Sequence, residues 1–512
     1  MRRPVERQAT SVRGMRRLPG PVIGSIVFFT SAAILVLEIV AARLLAPYVG
    51  VTLQTYTAII GVILTGIAMG AWLGGRFADR ANPIKLVGPV LILGGASALL
   101  SIPLLRWLGP KITSTAPTAV IGLTASVFLL PAVILSTVSP LLTKAKLTDL
   151  DRTGRTVGGL SALSTAGALV GSFLTGFVLV PHFRSRVIVG IVGSILITLG
   201  VSVTFFLRQS KSAGKTALAI VAISSAITAG STEAAVSWKD PCQMESSYFC
   251  ARVEPEPGDN SKRLLILDDG WHSKVDIDDP LYLEFEYIRA FRIAIDAWRT
   301  PPQKVRALHI GGGGFTMPRY LKATRPGSDS VVFEVDPKLV KLDQQQLGLD
   351  LANNLRTKAG DGRQNLRKQA SRSVDLVIGD AFGGQSVPWH LATREVTQDV
   401  RRVIATGGIY VLNVIDNPPL RFIKAEIATV KAVFKHVAVL SYPEAFAGNI
   451  GANFVVVAAH EPLPLPEIAS ALAADFSNTG MVLAEGKALD KFVGKAIVLT
   501  DEFGPVDQLF TR

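Results

Sequence analysis

The stretch that decides the fold of the C-terminal half is KVRALHIGGGGF, residues 304–315. Its apolar first part predicts a buried strand over residues 304–310, and the glycines predict a turn that leads into a helix from about Phe315. Glycines are needed at such a turn because a side chain would keep backbone N–H groups away from a ligand. The pattern therefore predicts a dinucleotide or nucleoside site whose cofactor-binding residues are Gly311, Gly312 and Gly313.

Carboxylates follow the next predicted strands. The strand Ser330 to Val335 carries Glu334 about 20 residues after the glycines, where a carboxylate can bind both ribose hydroxyls. Asp361 lies in the turn Gly360-Asp361-Gly362-Arg363, and the strand 374–379 ends on Asp380. Ligands of open α/β sheets bind beyond the carboxyl ends of the strands, so the three carboxylates are expected to face one pocket. Alternatively, Asp380 is a loop acid that caps the following segment.

The remaining pattern of this half completes an α/β fold. Thr316 or Met317 stands where the NAD fingerprint has its third glycine, which favours the shorter glycine loop of S-adenosylmethionine-type folds. A helix is predicted near 391–405 and a strand over 408–414, and two late strands near 436–442 and 453–459 read as a hairpin closing the sheet. We therefore expect a Rossmann-type domain, similar to S-adenosylmethionine-dependent methyltransferases, over 301–512, with a small β-rich segment before it at 237–300.

The N-terminal half predicts a multi-pass helical membrane domain. The whole chain of 512 residues is 49% hydrophobic and only 18% charged, with a mean hydropathy of +0.38. After a basic N-terminus over residues 1–21, the segment 22–236 contains about seven apolar stretches, and a bilayer span needs about 20 such residues. They lie near 22–45, 55–78, 86–105, 117–142, 157–181, 186–207 and 216–236. Membrane lipid is therefore an expected partner, and the cell membrane is the expected location.

The net charge of +13 is interpreted as a topology signal. Basic residues fall in the N-terminus and in alternate loops, which the positive-inside rule assigns to the cytoplasm. Nucleic acid is not an expected partner, because the chain has no basic stripe interleaved with aromatic residues. A metal is not expected either, because the six histidines show no ligand spacing.

Several motifs together resemble those of a known family. They are Leu264 to His272, Asp278 to Tyr287, the glycine loop, Glu334-Val335-Asp336, Gly360 to Arg363 and Ile378-Gly379-Asp380. In this order they resemble the spermidine synthases, or polyamine aminopropyltransferases. The segments Gly70 to Arg80 and Gly154 to Pro181 resemble the membrane-fused members, which carry a major-facilitator-like N-terminal domain.

The resemblance implies an aminopropyltransferase that moves an aminopropyl group from decarboxylated S-adenosylmethionine to an amine such as putrescine. It implies that Glu334 holds the ribose, that Asp361 with Gly362 contacts the adenine, and that Asp380 is the general base. His272 and Tyr287 would shape the amine site, and a homodimer is implied. The chain departs from the family at Gly314 and Gly383, where aspartates are usual, and at Phe249 and His272, where glutamines are usual.

Two other functions stay open at this point. One is a methyltransferase-like enzyme that uses S-adenosylmethionine on a small amine. The other is a polyamine transporter or sensor without turnover, for which Glu38 and Arg43 in the first apolar stretch are candidates for a substrate path or a structural ion pair.

The side of the membrane on which the C-terminal half lies is also open. Cys242 and Cys250 either form a disulfide, which would indicate an oxidising compartment outside the cytoplasm, or are two unrelated thiols. A nucleoside sulfonium cofactor points the other way, because such cofactors are cytosolic.

Overall fold

The computed structural model describes residues 18–112, 116–147, 153–207, 240–352, 354–382, 387–477 and 480–510. The chain divides into two compact units, Met1–Pro241 and Cys242–Arg512. The expected seventh apolar stretch, 216–236, and Gly383 lie outside the described residues.

The N-terminal unit contains six described helices that are long and apolar enough to cross a membrane. They are α1 Gly20–Val49, α2 Leu53–Arg80, α3 Pro83–Lys111, α4 Pro117–Lys146, α5 Thr153–His182 and α6 Ser185–Leu207. Each covers one of the first six apolar stretches of the sequence. Glycines bring helices of this unit together: a Cβ at Gly70 would lie 2.2 Å from the Val133 carbonyl oxygen, and one at Gly167 would lie 2.1 Å from that of Phe28. These positions are therefore closed to any side chain.

The C-terminal unit contains twelve described strands in two sheets. The strands are β1 Met244–Glu245, β2 Cys250–Glu256, β3 Asp259–Leu267, β4 Gly270–Asp276, β5 Arg306–Ile310, β6 Asp329–Glu334, β7 Leu355–Ala359, β8 Val374–Gly379, β9 Ile404–Asp416, β10 His436–Ser441, β11 Ala452–Ala459 and β12 Val482–Glu485. The helices are α7 Glu286–Trp298, α8 Thr316–Thr324, α9 Pro337–Gln346, α10 Gly362–Arg367, α11 Arg394–Val403, α12 Arg421–Lys431, α13 Pro443–Phe446, α14 Leu465–Asp475, α15 Gly486–Val493 and α16 Val506–Leu509.

The large sheet has the strand order β12-β10-β11-β9-β8-β5-β6-β7. Strands β5 to β9 pair in parallel, whereas β9, β11, β10 and β12 pair antiparallel. The strand that follows β5 in sequence lies on one side of it and β8 lies on the other, so the strand order reverses at β5. Ligands of such sheets bind at this switch point, beyond the carboxyl ends of the strands.

Two features of this unit differ from the sequence expectation. The late strands β10 and β11 do pair antiparallel, but β12 continues the sheet beyond β10, so the hairpin does not close it. Residues 286–298, inside the segment expected to be β-rich, form α7. Its buried residues, among them Phe291 and Ile295, share one apolar core with residues of the large sheet such as Val411. The amphipathic spacing of α7 explains this, since one apolar side faces the sheet.

A small antiparallel sheet precedes α7. Its strands run in the order β1-β2-β3-β4, and a disulfide between Cys242 and Cys250 ties the start of the unit to the first residue of β2. The sequence left open whether these cysteines form a disulfide or are unrelated thiols, and in the structure they form the disulfide.

Candidate active site

The glycine turn after β5 lies against the end of β8. Gly311 has a φ of +99°, and a Cβ there would lie 2.3 Å from the carbonyl oxygen of Asp380. Its N–H donates to the Phe333 carbonyl at 3.0 Å, which ties the turn to β6. Only glycine combines this conformation with this contact. The turn is therefore packed closely against the end of β8, at the place where the strand order reverses.

Glu334, the last residue of β6, supports the same turn. Its Oε2 accepts a hydrogen bond from the Gly312 N–H at 2.8 Å, and its Oε1 accepts one from the Asp336 N–H at 3.0 Å. Burial raises the pKa of Glu334, and these backbone bonds limit the rise. The carboxylate is thus fixed beside the glycines and retains lone pairs for further donors.

Asp361 lies just beyond the carboxyl end of β7 and caps α10. Its Oδ1 accepts from the Gln364 N–H at 2.8 Å, and its Oδ2 lies 2.9 Å from His390 Nε2. A Cβ at Gly362 would lie 2.8 Å from Ile310 on β5, so this position also favours glycine. Asp361 is therefore oriented by two contacts at the same edge of the sheet as Glu334.

Asp380 follows β8 and lies between two donors. The Tyr287 hydroxyl donates to Oδ2 at 3.1 Å, and Asn413 Nδ2 donates to Oδ1 at 3.0 Å. Burial raises the pKa of Asp380 to about 6, and the bonds from Asn413 and Tyr287 oppose that rise. Burial and the neighbouring Asp380 raise the pKa of Tyr287 well above its usual value, so Tyr287 stays protonated and donates.

The two residues expected at the amine site have different surroundings. Tyr287 reaches Asp380 from α7, and its ring contacts those of Phe285 and Phe291. The described contacts of His272 are instead within the small sheet, to the Gly270 carbonyl at 3.1 Å and to the Phe249 ring at 6.5 Å. Burial lowers the pKa of His272, so it is the neutral imidazole that faces this sheet. Tyr287 is thus connected to Asp380 by contact, and His272 is placed beside Phe249.

Sequence reasoning missed four residues of this region: Asn413, Asn453, Ser273 and His390. Asn453 Nδ2 donates to Asn413 Oδ1 at 3.0 Å, and Ser273 Oγ accepts from the Gly314 N–H at 2.9 Å. Asn413, a polar residue inside the apolar run Ile409 to Val414, is the one that a sequence signal could have revealed. The others stand in no distinctive pattern.

The arrangement fits a nucleoside better than a metal. Gly311 packs closely against the carbonyl of Asp380, and the Glu334 carboxylate lies directly beside Gly312. In the described part of the chain, no group of three His, Cys, Asp or Glu side chains is arranged to hold a metal ion. A turn without side chains and a fixed carboxylate beside it suit the polar edges of a nucleoside.

Comparison with known proteins links the chain to aminopropyltransferases. A polyamine aminopropyltransferase of Vibrio vulnificus is 26% identical over 218 residues, which are 41% of this chain and 71% of the relative. Polyamine aminopropyltransferase 2 of Streptomyces coelicolor is 26% identical over 414 residues, which are 75% of this chain and 71% of the relative. A probable spermidine synthase structure from Corynebacterium glutamicum aligns with a TM-score of 0.47 and 26% identity over 50% of this chain and 94% of its own. No family model matches the chain.

The resemblance that the motifs indicated is thereby confirmed: this chain is similar to polyamine aminopropyltransferases. The strand order described above gives its C-terminal unit a Rossmann-like fold after a helical N-terminal region.

Proposed function

We propose that this chain is a membrane-anchored aminopropyltransferase of the spermidine synthase type, acting on decarboxylated S-adenosylmethionine and an amine such as putrescine. The observation that carries the proposal is the position of Asp380, which lies between Tyr287 and Asn413 and touches the glycine turn. A carboxylate in this place can hold an amine next to a bound nucleoside and accept its proton.

The chemistry assigns a role to each residue of the site. The sulfonium of the co-substrate supplies an electrophilic carbon. Asp380 accepts the proton of the attacking amine as the new C–N bond forms and the C–S bond breaks, which releases the thioether nucleoside. Glu334 would hold the ribose, Asp361 would contact the adenine, and Gly311 and Gly312 would leave room for the nucleoside. Tyr287 holds Asp380 by donating to Oδ2, and His272 would line the amine side of the site.

The first experiment measures binding and turnover by the full chain in detergent. Calorimetry with decarboxylated and ordinary S-adenosylmethionine comes first, and mass spectrometry of products with putrescine follows. We expect preferential binding of the decarboxylated form and formation of spermidine. Methyl transfer from ordinary S-adenosylmethionine would support the methyltransferase alternative, and binding without any product would support a sensor.

The pH dependence of turnover should follow Asp380. A base must be deprotonated, and burial raises the pKa of Asp380 to about 6, so kcat should rise with pH through that value. Tyr287→Phe removes a donor that favours the ionised carboxylate, and the midpoint should move to higher pH. Steady-state rates between pH 5 and 8 test this. An unchanged midpoint in Tyr287→Phe would contradict the contact as a determinant of the titration.

Membrane anchoring is supported by the surface of the helical unit. Its six helices have mean hydropathies between 1.8 and 2.4, and large apolar side chains such as Phe173 and Phe177 are more than half exposed. Trp72 lies under Arg76 and Trp107 lies under Lys111, each pair near the end of a helix. Aromatic and basic residues of this kind mark the two membrane interfaces.

We further propose that residues 240–250 lie outside the cytoplasm, in which case the cytosolic nucleoside co-substrate would have to be supplied to that side of the membrane. Asp240 pairs with Arg106 at 3.9 Å, Arg184 at 3.8 Å and Arg186 at 3.0 Å. Arg106 is near the end of α3, whereas the loops rich in lysine and arginine adjoin its start and are expected in the cytoplasm. The disulfide that begins two residues after Asp240 accords with an oxidising compartment.

Cysteine labelling tests this side assignment. Lys495→Cys puts a thiol on an exposed position of the C-terminal unit, and Ala81→Cys puts one in the exposed turn between α2 and α3. A membrane-impermeant maleimide should label Lys495→Cys in intact cells and Ala81→Cys only after permeabilisation. The reverse pattern would place the C-terminal unit in the cytoplasm. The turnover experiment is independent of this outcome because the co-substrate is added to solubilised protein.

A further inference from the structure

A chain of two side-chain amides ends on Asp380. Asn453 Nδ2 donates to Asn413 Oδ1 at 3.0 Å, and Asn413 Nδ2 donates to Asp380 Oδ1 at 3.0 Å. Asn413 is 2% exposed, so water does not compete for its amide. The backbone of Asn453 is fixed in turn, because its carbonyl accepts from the Ser441 hydroxyl at 2.9 Å.

The register of the sheet places the two amides together. In the antiparallel pair of β9 and β11, Asn413 is opposite Val455, and Asn453 is opposite Ile415. Asn453 and Val455 are two residues apart and share one face of the sheet, so Asn453 is a diagonal neighbour of Asn413. The contact therefore depends on the pairing of β9 with β11 and is independent of any bound ligand.

An asparagine amide can present either its nitrogen or its oxygen to a partner. An ionised carboxylate needs the nitrogen, because an oxygen in the same place would repel it. Asn453 donates to the oxygen of Asn413, so only the nitrogen of Asn413 is left to face Asp380. With Asn453 as the donor to Asn413 Oδ1, the nitrogen of Asn413 is the atom that meets Asp380, and Asn453 itself makes no contact with Asp380 in the described hydrogen bonds.

We propose that Asn453 is a positioning residue for the transfer reaction: it fixes the orientation of the Asn413 amide and so keeps the Asp380 carboxylate ionised and held beside Tyr287. This inference rests on the proposed function, because it assigns to Asp380 the role of base. It extends that role to a residue on β11 whose described side-chain hydrogen bond is to Asn413 and not to Asp380.

The titratable groups on the elements around Asp380 have other partners or stay uncharged. Tyr287 on α7 contacts Asp380 directly, whereas Glu286 on the same helix accepts from the Tyr442 hydroxyl. His309 on β5 is buried, which lowers its pKa to about 3 and keeps it neutral. Burial raises the pKa of Tyr410 on β9, and the Glu334 carboxylate is bonded to the glycine turn. A change at Asn453 should therefore reach Asp380 through Asn413.

A double-variant cycle on the full chain tests the proposal. Asn453→Leu removes the donor at nearly constant volume without adding a charge. It should lower kcat about 3- to 10-fold with little change in KM, and it should raise the pH midpoint of kcat. Asn413→Leu should have a larger effect in the same direction. If Asn453 acts through Asn413, the double variant should match Asn413→Leu within about twofold. Multiplied effects, or an unchanged pH midpoint in Asn453→Leu, would overturn the proposal.

A second variant guards against loss of folding. Asn453→Asp is closer in shape, and it should draw the Asn413 nitrogen to itself and turn the oxygen towards Asp380, with a larger upward shift of the midpoint. Asn449→Asp adds the same charge at an exposed position after α13 and should leave the midpoint in place. Equal shifts in both would indicate a general charge effect and contradict the amide mechanism.

One readout does not need turnover. The infrared carboxylic-acid band that disappears in Asp380→Asn reports the protonation of Asp380 directly, and its midpoint should move upward in Asn453→Leu. If the wild-type protein is inactive, the proposed function is contradicted, but the infrared band still tests whether Asn453 acts on Asp380 through Asn413. An active wild type with an unmoved band would contradict the amide chain alone.

Discussion

Replacing Asp380 by asparagine should lower kcat by on the order of 10²- to 10⁴-fold, the range that a positioned general base contributes. Asparagine has the same shape and can keep a contact with Tyr287, but it cannot take the proton of the attacking amine. Binding of the decarboxylated co-substrate should change by no more than a few-fold, because Glu334 and the glycine turn are untouched. Single-turnover kinetics and calorimetry on the same preparation measure the two effects separately.

Asp350→Asn is the matched control for the Asp380 variant. It removes a carboxylate from a side chain that is 80% exposed and paired with Lys322, away from the glycine turn. Its kcat should equal that of the wild type. Retention of wild-type turnover in Asp380→Asn would rule out Asp380 as the base, and equal losses in both variants would point to a general effect of charge.

Gly311→Ala should weaken nucleoside binding by on the order of 100-fold. An alanine at a φ of +99° is strained by about 1–3 kcal/mol, which lowers the stability of the folded chain. The loss of affinity comes from the displacement of the turn, and 100-fold corresponds to about 2.8 kcal/mol of binding free energy, at about 1.4 kcal/mol for each factor of ten. In addition, its Cβ would lie 2.3 Å from the Asp380 carbonyl oxygen, so β8 or the turn must shift. The change should therefore reduce both affinity, measured by calorimetry, and turnover.

Gly258→Ala provides the comparison, because it carries the backbone strain without the contact. Gly258, in the turn between β2 and β3, has a φ of +86° and nothing within 4 Å of an added Cβ. It should lower thermal stability and leave nucleoside affinity unchanged. Wild-type affinity in a folded Gly311→Ala would contradict the placement of the nucleoside at this turn.

The placement of the glycines and carboxylates at one edge of the sheet was predictable where a local pattern coincides with a general rule of the fold. The glycines and Asp380 follow the apolar strands β5 and β8, Glu334 is the last residue of β6, and Asp361 lies in a glycine turn after the polar strand β7. The carboxyl ends of parallel strands meet at one edge of a sheet. The contact of Tyr287 with Asp380 joins residues 93 positions apart and depends on how α7 packs on the sheet. Neither residue's local sequence contains that information.

The sequence by itself predicted about seven apolar stretches, and the first six are the apolar helices of the described residues. It also determined the order of glycines and carboxylates along the Rossmann-type half, because hydropathy and turn chemistry are local properties. Only the tertiary structure decided which partners surround Asp380. Asn413 is 33 positions from Asp380, and Asn453 is a further 40 positions along the chain. Their contacts depend on strand order and register, which place residues from separate segments on one face. The joining of Cys242 to Cys250 was likewise left open by spacing and decided by the fold of the small sheet.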